Sequence, residues 1–136
     1  NTVKKFEKYK KIYIDRSDSQ YNHCKIINDE EIKKYLKKEG FKIVKLSKYS
    51  LSKQISIFKN CNYIIGPHGA GMANLIFCKR KAKVIEIQYF GHPNRVYKRI
   101  SNINKLRHRF IMLKKIKNDK KGDMYLPVQK LKKYLN

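Results

Sequence analysis

The fold is decided by one stretch of the sequence, NYIIGPHGAGMANLIF, which spans residues Asn62 to Phe77. An apolar run, Tyr63-Ile64-Ile65, ends at Gly66-Pro67, and a second apolar run at helical spacing follows Gly71. That order predicts a strand, a glycine turn and a helix. Three of the six glycines of the chain lie in this turn. We therefore expect the backbone to approach either a ligand or another element closely here.

Strands and helices alternate on both sides of this stretch. The predicted strands are Lys11–Asp15, Phe41–Leu46, Asn62–Gly66, Ala82–Ile87 and His108–Leu113. The predicted helices are Asp29–Gly40, Leu51–Asn60, Gly69–Phe77, Asn94–Leu106 and Pro127–Leu135. Asn28 and Glu31 are expected to form a capping box, and Ser50 is expected to cap the second helix. The alternation predicts an α/β fold with a Rossmann-like parallel sheet, helices on both faces and a single domain over residues 1–136.

Bulk composition favours a globular protein, since 41% of the 136 residues are hydrophobic and 12% are aromatic. No apolar run approaches the roughly 20 residues that a transmembrane helix needs, and no signal-peptide pattern is present. We therefore expect no transmembrane segment and a cytoplasmic location, or the secretory lumen if the source is eukaryotic. Since the chain begins at Asn1 without Met, it is expected to be a piece of a longer protein.

The formal net charge of +24 raises the question of a nucleic-acid partner. Of the 34 basic residues, 28 are lysines spread over nearly every helix, whereas phosphate and base recognition favours arginine. The pattern favours a solvated surface over a polyanion-binding one, so nucleic acid is not the expected partner. Cys24, Cys61 and Cys78 contain no C-x-x-C pair, which predicts three reduced, mostly buried thiols. No D-x-D motif is present, so no metal site is expected.

The glycine turn has the chemistry of a phosphate site. Backbone N–H groups at the start of a helix carry partial positive charge and bind anions. Gly69 and Gly71 would allow close approach, and His68, expected to be exposed between Gly66 and Gly69, would lie beside the anion. The alternative is that the glycines only make a tight turn and let the helix pack on the sheet. Gly69-x-Gly71-x-x-Asn74 also approaches the dinucleotide fingerprint, with Glu86 at the end of the next strand as the acid that would hold ribose hydroxyls.

The segment GPHGAGMANLIF, preceded by LSKQISIFKNCNYII and followed by AKVIEI, resembles glycosyltransferase family 61. That family includes capsular-polysaccharide-type transferases and the EGF-domain O-GlcNAc transferase. The resemblance extends over about residues 11–87 and includes matches at Arg16, Asn28, Glu30 and Gln54. Lys25 stands where the family has a second arginine, which keeps the charge but loses the planar fork. The last 45 or so residues match no motif.

The resemblance implies the donor-binding, C-terminal half of a GT-B glycosyltransferase that uses a nucleotide sugar, usually UDP-linked. A further N-terminal domain would help to bind a glycan or protein acceptor, and the chain alone should bind UDP with little sugar transfer. No cofactor or metal is expected. His68 is the candidate catalytic residue. The candidate donor and phosphate contacts are Arg16, Lys25, Gly66, Gly69, Ala70, Gly71, Asn74 and Glu86. His92 and His108 carry no motif and are expected at the surface.

Two other functions stay open at this point. One is an NAD(P)-type dinucleotide-binding domain, which would have to accept Asn74 in place of the third fingerprint residue. The other is a non-enzymatic polyanion-binding module, which rests on the net charge of +24 alone.

Overall fold

A computed structural model of the chain describes residues 9–17, 23–92 and 95–135. Its five strands form one sheet in the order β2-β1-β3-β4-β5, and every neighbouring pair is parallel. The strands are β1 Lys11–Ile14, β2 Lys42–Val44, β3 Tyr63–Pro67, β4 Lys83–Tyr89 and β5 Arg107–Leu113. The predicted α/β class and parallel sheet are confirmed.

The connections between strands are mostly helical. The α-helices are α1 Asp29–Lys38, α2 Leu51–Asn60, α3 Val96–Ile103 and α4 Val128–Leu135. A one-turn 3-10 helix, Leu46–Lys48, precedes α2. The helix predicted after the glycine turn is also a 3-10 helix, Ala70–Phe77, rather than an α-helix. Because a 3-10 helix rises about 2.0 Å per residue instead of 1.5 Å, the same eight residues reach farther along the sheet.

Apolar side chains cover both faces of the sheet, which confirms helices on both sides. Successive residues of a strand point to opposite faces. On one face, Tyr13, Ile65 and Ile85 pack with residues of α1 and α4, among them Leu36 and Leu131. On the other face, the neighbouring strand residues Ile12, Ile64 and Val84 pack with Phe58 of α2 and with Met72 and Leu75 of the 3-10 helix.

The two predicted helix caps have different outcomes. The Ser50 hydroxyl accepts a hydrogen bond from the Lys53 amide at 3.3 Å, which confirms it as the cap of α2. The capping box at Asn28 was wrong, because its side chain makes no hydrogen bond to α1. Instead, Asn28 Nδ2 donates to the Leu126 carbonyl at 2.7 Å, and Asn28 Oδ1 accepts from the Leu126 amide at 3.1 Å. Asn28 therefore fastens the segment before α4 to the start of α1.

The topology determines where a ligand would bind. From β1 the chain crosses to β2 on one side and then returns to β3 on the other side. In an open α/β sheet, the crevice at the carboxyl ends of two such strands is the usual ligand site. Arg16 lies two residues beyond β1 and His68 one residue beyond β3. The fold thus brings these two distant parts of the sequence to one crevice.

Two further features agree with the sequence. Cys24, Cys61 and Cys78 are all free and buried. No helix in the described part of the chain combines the length and apolar character needed to cross a membrane.

Candidate functional site

A cleft of about 520 Å³ opens at the carboxyl ends of β1 and β3. Of the predicted site residues, Arg16, His68, Gly69 and Ala70 line it together. Its other lining residues are His23, Cys24, Tyr89, His92 and Tyr97. Lys25 lies on a neighbouring cavity of about 140 Å³, which shares Arg16 with the cleft. The cleft therefore combines one guanidinium, three imidazoles and two phenol rings around the start of the 3-10 helix.

Arg16 and Gly69 are in direct contact. The Arg16 guanidinium donates hydrogen bonds to the carbonyl of His23 at 2.9 Å and to the carbonyl of His68. A Cβ atom on Gly69 would lie 2.2 Å from Arg16 Nε. The backbone of Gly69 is extended, with φ of 167°, so the requirement for glycine is one of space. Position 69 is glycine because the arginine occupies the place of a side chain.

Two other glycines of the turn serve packing. A Cβ atom on Gly66 would lie 3.0 Å from Ile14 Cβ, and one on Gly71 would lie 2.8 Å from Leu46 Cδ1. Neither residue lines the cleft. For Gly66 and Gly71, the close approach is therefore between the turn and its own neighbours, which is the packing alternative considered from the sequence.

His68 is mostly buried, with 9% of its surface exposed, whereas the sequence predicted an exposed side chain. Its Nδ1 atom lies 2.7 Å from Glu86 Oε2. Among the described residues, no side chain or backbone group bonds its Nε2 atom. Since no buried side-chain nitrogen or oxygen in that part of the chain lacks a partner, Nε2 reaches the surface at the cleft. His68 therefore presents one ring nitrogen to the cleft and the other to a carboxylate.

Glu86 lies inside the protein, with 1% of its surface exposed. Besides His68, it contacts His108 Nε2 through Oε1 at 2.9 Å and accepts a hydrogen bond from Gln88 Nε2. Burial alone would raise the pKa of Glu86, but the hydrogen bonds from His108 and His68 outweigh it and lower the pKa to about 2. Neither oxygen is open to a ribose, so the ribose contact expected from the sequence is replaced by an internal role.

The surface position predicted for His108 was wrong, whereas His92 lies half-buried at the open cleft. His108 is buried, and its Nδ1 atom lies 2.6 Å from Ser101 Oγ on α3. His92 is half-buried, with its ring centroid 4.3 Å from that of His68. Burial, and then the nearby His68, lower the pKa of His92. Both histidines were missed because the parts of the sequence that carry them contain no motif.

Asn74 lies away from the cleft. Its amide donates to Gln54 Oε1 at 3.3 Å and to the Gly71 carbonyl at 3.2 Å. Gln54 in turn donates to the Leu46 carbonyl at 3.0 Å. These hydrogen bonds join the 3-10 helix to α2, so Asn74 stabilises the turn and does not line the cleft.

A buried charge cluster lies beside Arg16. Lys33 Nζ lies 2.9 Å from Asp15 Oδ2 and 3.0 Å from Asp29 Oδ2, and Tyr13 donates to Asp29 at 2.6 Å. Burial favours the neutral form of Asp15, but the hydrogen bond from Lys33 outweighs it and lowers the pKa of Asp15. Asp15 is thus the partner of Lys33 and not of Arg16. Asp18, the other acid considered for Arg16, lies outside the described residues.

Comparison with known families agrees with this geometry. The sequence model of the family Glycosyltransferase 61 matches residues 1–85. The chain belongs to glycosyltransferase family 61. Members of this family are enzymes that transfer sugars, so a sugar donor and an acceptor are its substrates. Comparison with curated proteins finds no significant match.

The glycosyltransferase 61 match covers the whole glycine turn and ends one residue before Glu86. Glu86, Gln88, Ser101 and His108, which hold His68 from behind, all lie beyond it. One signal in the sequence could have revealed two of them, Glu86 and Gln88. VIEIQY places Glu86 and Gln88 at alternate positions of an otherwise apolar strand, and two polar residues on one face of a buried strand require partners. Within the described part of the chain, no group of three His, Cys, Asp or Glu residues could hold a metal ion.

Proposed function

We propose that the cleft binds the diphosphate of a nucleotide-sugar donor, with UDP as the nucleotide. The observation that carries the proposal is the convergence of Arg16, His68 Nε2 and the start of the 3-10 helix at the β1/β3 crevice. The first bond of that helix runs from the Met72 amide to the Gly69 carbonyl, at 3.0 Å. The amides of Ala70 and Gly71 precede it and have no acceptor within the helix. Of these two residues, Ala70 lines the cleft.

The remaining cleft residues fit the other parts of such a donor. Tyr89, His92 and Tyr97 supply ring faces, which bind sugar and base planes through apolar contact and stacking. The net charge of +24 favours the approach of any polyphosphate. Charge neutralisation falls to Arg16, His68 and backbone N–H groups, so binding does not require a divalent metal. In a GT-B enzyme, this domain would hold the donor while a second domain presents the glycan or protein acceptor.

In the reaction, the bond between the anomeric carbon and the diphosphate oxygen breaks, and the electron pair stays on the diphosphate. Arg16, His68 and the helix amides stabilise that growing negative charge, which is how fixed donors accelerate such reactions. The acceptor hydroxyl oxygen forms the new bond to the anomeric carbon, and its proton passes to a general base. We assign the chain to the donor side of this reaction.

The test is an amide NMR titration of the chain with UDP, run with and without EDTA. We expect shift changes at Gly69, Ala70 and His68 at millimolar UDP or below, unchanged by EDTA. Amides at the amino ends of the strands, such as that of Arg107 at the start of β5, serve as the internal control. A parallel titration with NAD tests the dinucleotide alternative. Unmoved Gly69 and Ala70 signals, or tighter binding of NAD than of UDP, would refute the proposal.

A further inference from the structure

A line of buried polar side chains runs from the cleft into the protein. It connects His68 to Glu86 at 2.7 Å, Glu86 to His108 at 2.9 Å and His108 to Ser101 at 2.6 Å. Ser101 is fully buried, and the side chains of Glu86 and His108 are 1% and 0% exposed. We call these four residues the histidine relay. Apolar residues could fill this space without the cost of desolvating polar groups, so the relay requires an explanation other than packing.

The direction of each hydrogen bond in the relay follows from the charge of Glu86. An ionised carboxylate has no hydrogen to donate. His68 Nδ1 and His108 Nε2 must therefore each donate to it. Gln88 Nε2 donates to the same carboxylate, while Gln88 Oε1 accepts from Arg95, which fixes the amide orientation. Gln88 Nε2 also lies 3.1 Å from His68 Nδ1. Since both nitrogens donate to Glu86 Oε2, this contact is a side-by-side approach of two donors to one oxygen.

This arrangement determines what His68 offers to the cleft. With hydrogen on Nδ1 and that atom turned inward, Nε2 is the ring atom that reaches the opening. A ring turned by half a rotation would place carbon atoms against Glu86 and leave the carboxylate short of a donor. The orientation of His68 is therefore determined by residues that do not line the cleft.

We infer that Glu86, His108 and Ser101 are positioning residues, which hold His68 with Nδ1–H turned inward and Nε2 aimed at a phosphate oxygen of the donor. A phosphate oxygen only accepts, so in the complex His68 carries hydrogen on both ring nitrogens and donates Nε2–H to it, while the Glu86 carboxylate balances the charge of the imidazolium. The inference rests on the proposed function for the identity of the ligand. Glu86 anchors the ring, His108 holds the second carboxylate oxygen, and Ser101 orients His108 from α3. Such outer partners commonly change ligand affinity by about 10- to 100-fold when they orient a histidine on a metal. We expect about tenfold for an ion as diffuse as a diphosphate.

The first measurement needs no ligand. Long-range 1H–15N NMR of the full chain, labelled at histidine nitrogens, reports which ring nitrogen carries hydrogen. We expect a protonated, slowly exchanging Nδ1 on His68. In His108→Leu, which removes the donor to Glu86 Oε1, we expect that hydrogen to exchange faster. His108→Gln places an amide donor near the original Nε2 position and should restore the wild-type signature.

The second measurement is the UDP affinity of the same variants by calorimetry. We expect His108→Leu and Glu86→Gln to weaken UDP binding by about tenfold, and His108→Gln to remain within about threefold of wild type. Met112→Leu, on the same strand and face as His108, is the matched control and should change neither readout. If His108→Leu does not fold, Ser101→Ala replaces it, because alanine is well tolerated in a helix.

The outcomes separate the two proposals. A wild-type chain with the protonated Nδ1 on His68 but no UDP affinity refutes the proposed function alone. A wild-type chain that binds UDP, with a His68 signature and affinity unchanged in folded His108→Leu or Ser101→Ala, overturns the role of the relay. An equal loss of affinity in His108→Gln and His108→Leu also overturns it, since a positioning role requires rescue by the conservative variant.

Discussion

Arg16 occupies the space that a side chain at position 69 would fill, with its Nε atom 2.2 Å from the Cβ position of Gly69. The two residues are 53 positions apart in the sequence and follow neighbouring strands. The guanidinium also holds the carbonyls on either side of the cleft, those of His23 and His68. Gly69 thus determines where the positive charge of the cleft lies.

We predict that Gly69→Ala displaces the Arg16 guanidinium and leaves the protein folded. The end of an arginine side chain can move, and the extended backbone at position 69 accepts any residue. Loss of a charged hydrogen-bonding group corresponds to about 1.5–3 kcal/mol, so UDP affinity should fall about tenfold or more. Calorimetry measures the affinity, and thermal unfolding checks the fold.

The control for this prediction is the double variant Arg16→Ala with Gly69→Ala. Once the guanidinium is gone, the added methyl group meets no obstacle, and its further effect on affinity should stay within about 0.5 kcal/mol. If the loss of affinity in the double variant equals the sum of the losses in the two single variants, Arg16 and Gly69 act independently.

A second prediction separates the two nitrogens of His68. Asparagine places an amide donor near the position of Nδ1, so His68→Asn should keep the contact with Glu86 and lose Nε2. Glutamine reaches toward Nε2 but leaves the Glu86 oxygen without this donor. We expect His68→Asn to bind UDP about tenfold more weakly at nearly unchanged stability. His68→Gln should lose about 1–3 kcal/mol of folding free energy.

Urea unfolding and UDP calorimetry on both His68 variants provide the measurements. A stable His68→Asn variant that binds UDP as tightly as wild type would exclude Nε2 as a ligand contact.

The third prediction concerns acid stability. The pKa of Glu86 is lowered from 4.5 to about 2 in the folded chain. A lowered pKa contributes stability that is fully present above pH 4.5 and is lost as the pH falls toward 2. The shift corresponds to about 3 kcal/mol. We therefore expect the free energy of unfolding to decrease between about pH 4.5 and 2.

Urea unfolding at a series of pH values measures this slope. Glu86→Gln should reduce it, while part of the slope should remain because the pKa of Asp15 is also lowered. Glu39→Gln, at an exposed position, is the matched control and should retain the wild-type slope. Equal slopes in Glu86→Gln and Glu39→Gln would contradict an ionised, hydrogen-bonded Glu86.

The fourth prediction concerns the link between Asn28 and Leu126. The two hydrogen bonds join backbone and side-chain groups that are 98 positions apart. Asn28→Ala leaves the Leu126 amide and carbonyl without these partners, so we expect a loss of about 1–3 kcal/mol. Faster hydrogen exchange at the Leu126 amide would locate the effect. Asn102→Ala, at an exposed position, should change neither quantity.

The fold could be predicted from the sequence because its signals are local. Apolar runs bounded by glycine and polar residues marked all five strands, and each predicted strand overlaps the observed one. The helix after the glycine turn could be predicted, but its type could not, because apolar spacing does not distinguish 3.6 from 3.0 residues per turn over eight residues. Asn28 has the sequence signature of a cap, but its side chain bonds the backbone of Leu126, 98 positions away, instead of the start of α1.

The site could be predicted only in part. The residues that line the cleft lie in recognisable local motifs, whereas the residues that hold His68 do not. Arg16, His68, Gly69 and Ala70 belong to motifs at strand ends, and the parallel topology brings strand ends together. His108 meets Glu86, and Ser101 meets His108, only after β5 and α3 have packed beside β4. No spacing in the sequence encodes these contacts. Gly66 and Gly71 show the converse, because their motif suggested a ligand while packing explains them.

The alternation of β4 has a consequence for how the protein folds. Glu86 lies opposite Gly66 on β3 and Phe110 on β5, and its neighbours Ile85 and Ile87 point into the other face. A slip of one residue would turn the carboxylate into the hydrocarbon between α1 and α4 and push an isoleucine among the histidines. A misaligned sheet would thus bury an unpaired charge, at a cost of several kcal/mol. The alignment that closes the core is also the one that gives the carboxylate its partners, so correct folding and assembly of the histidines are one event.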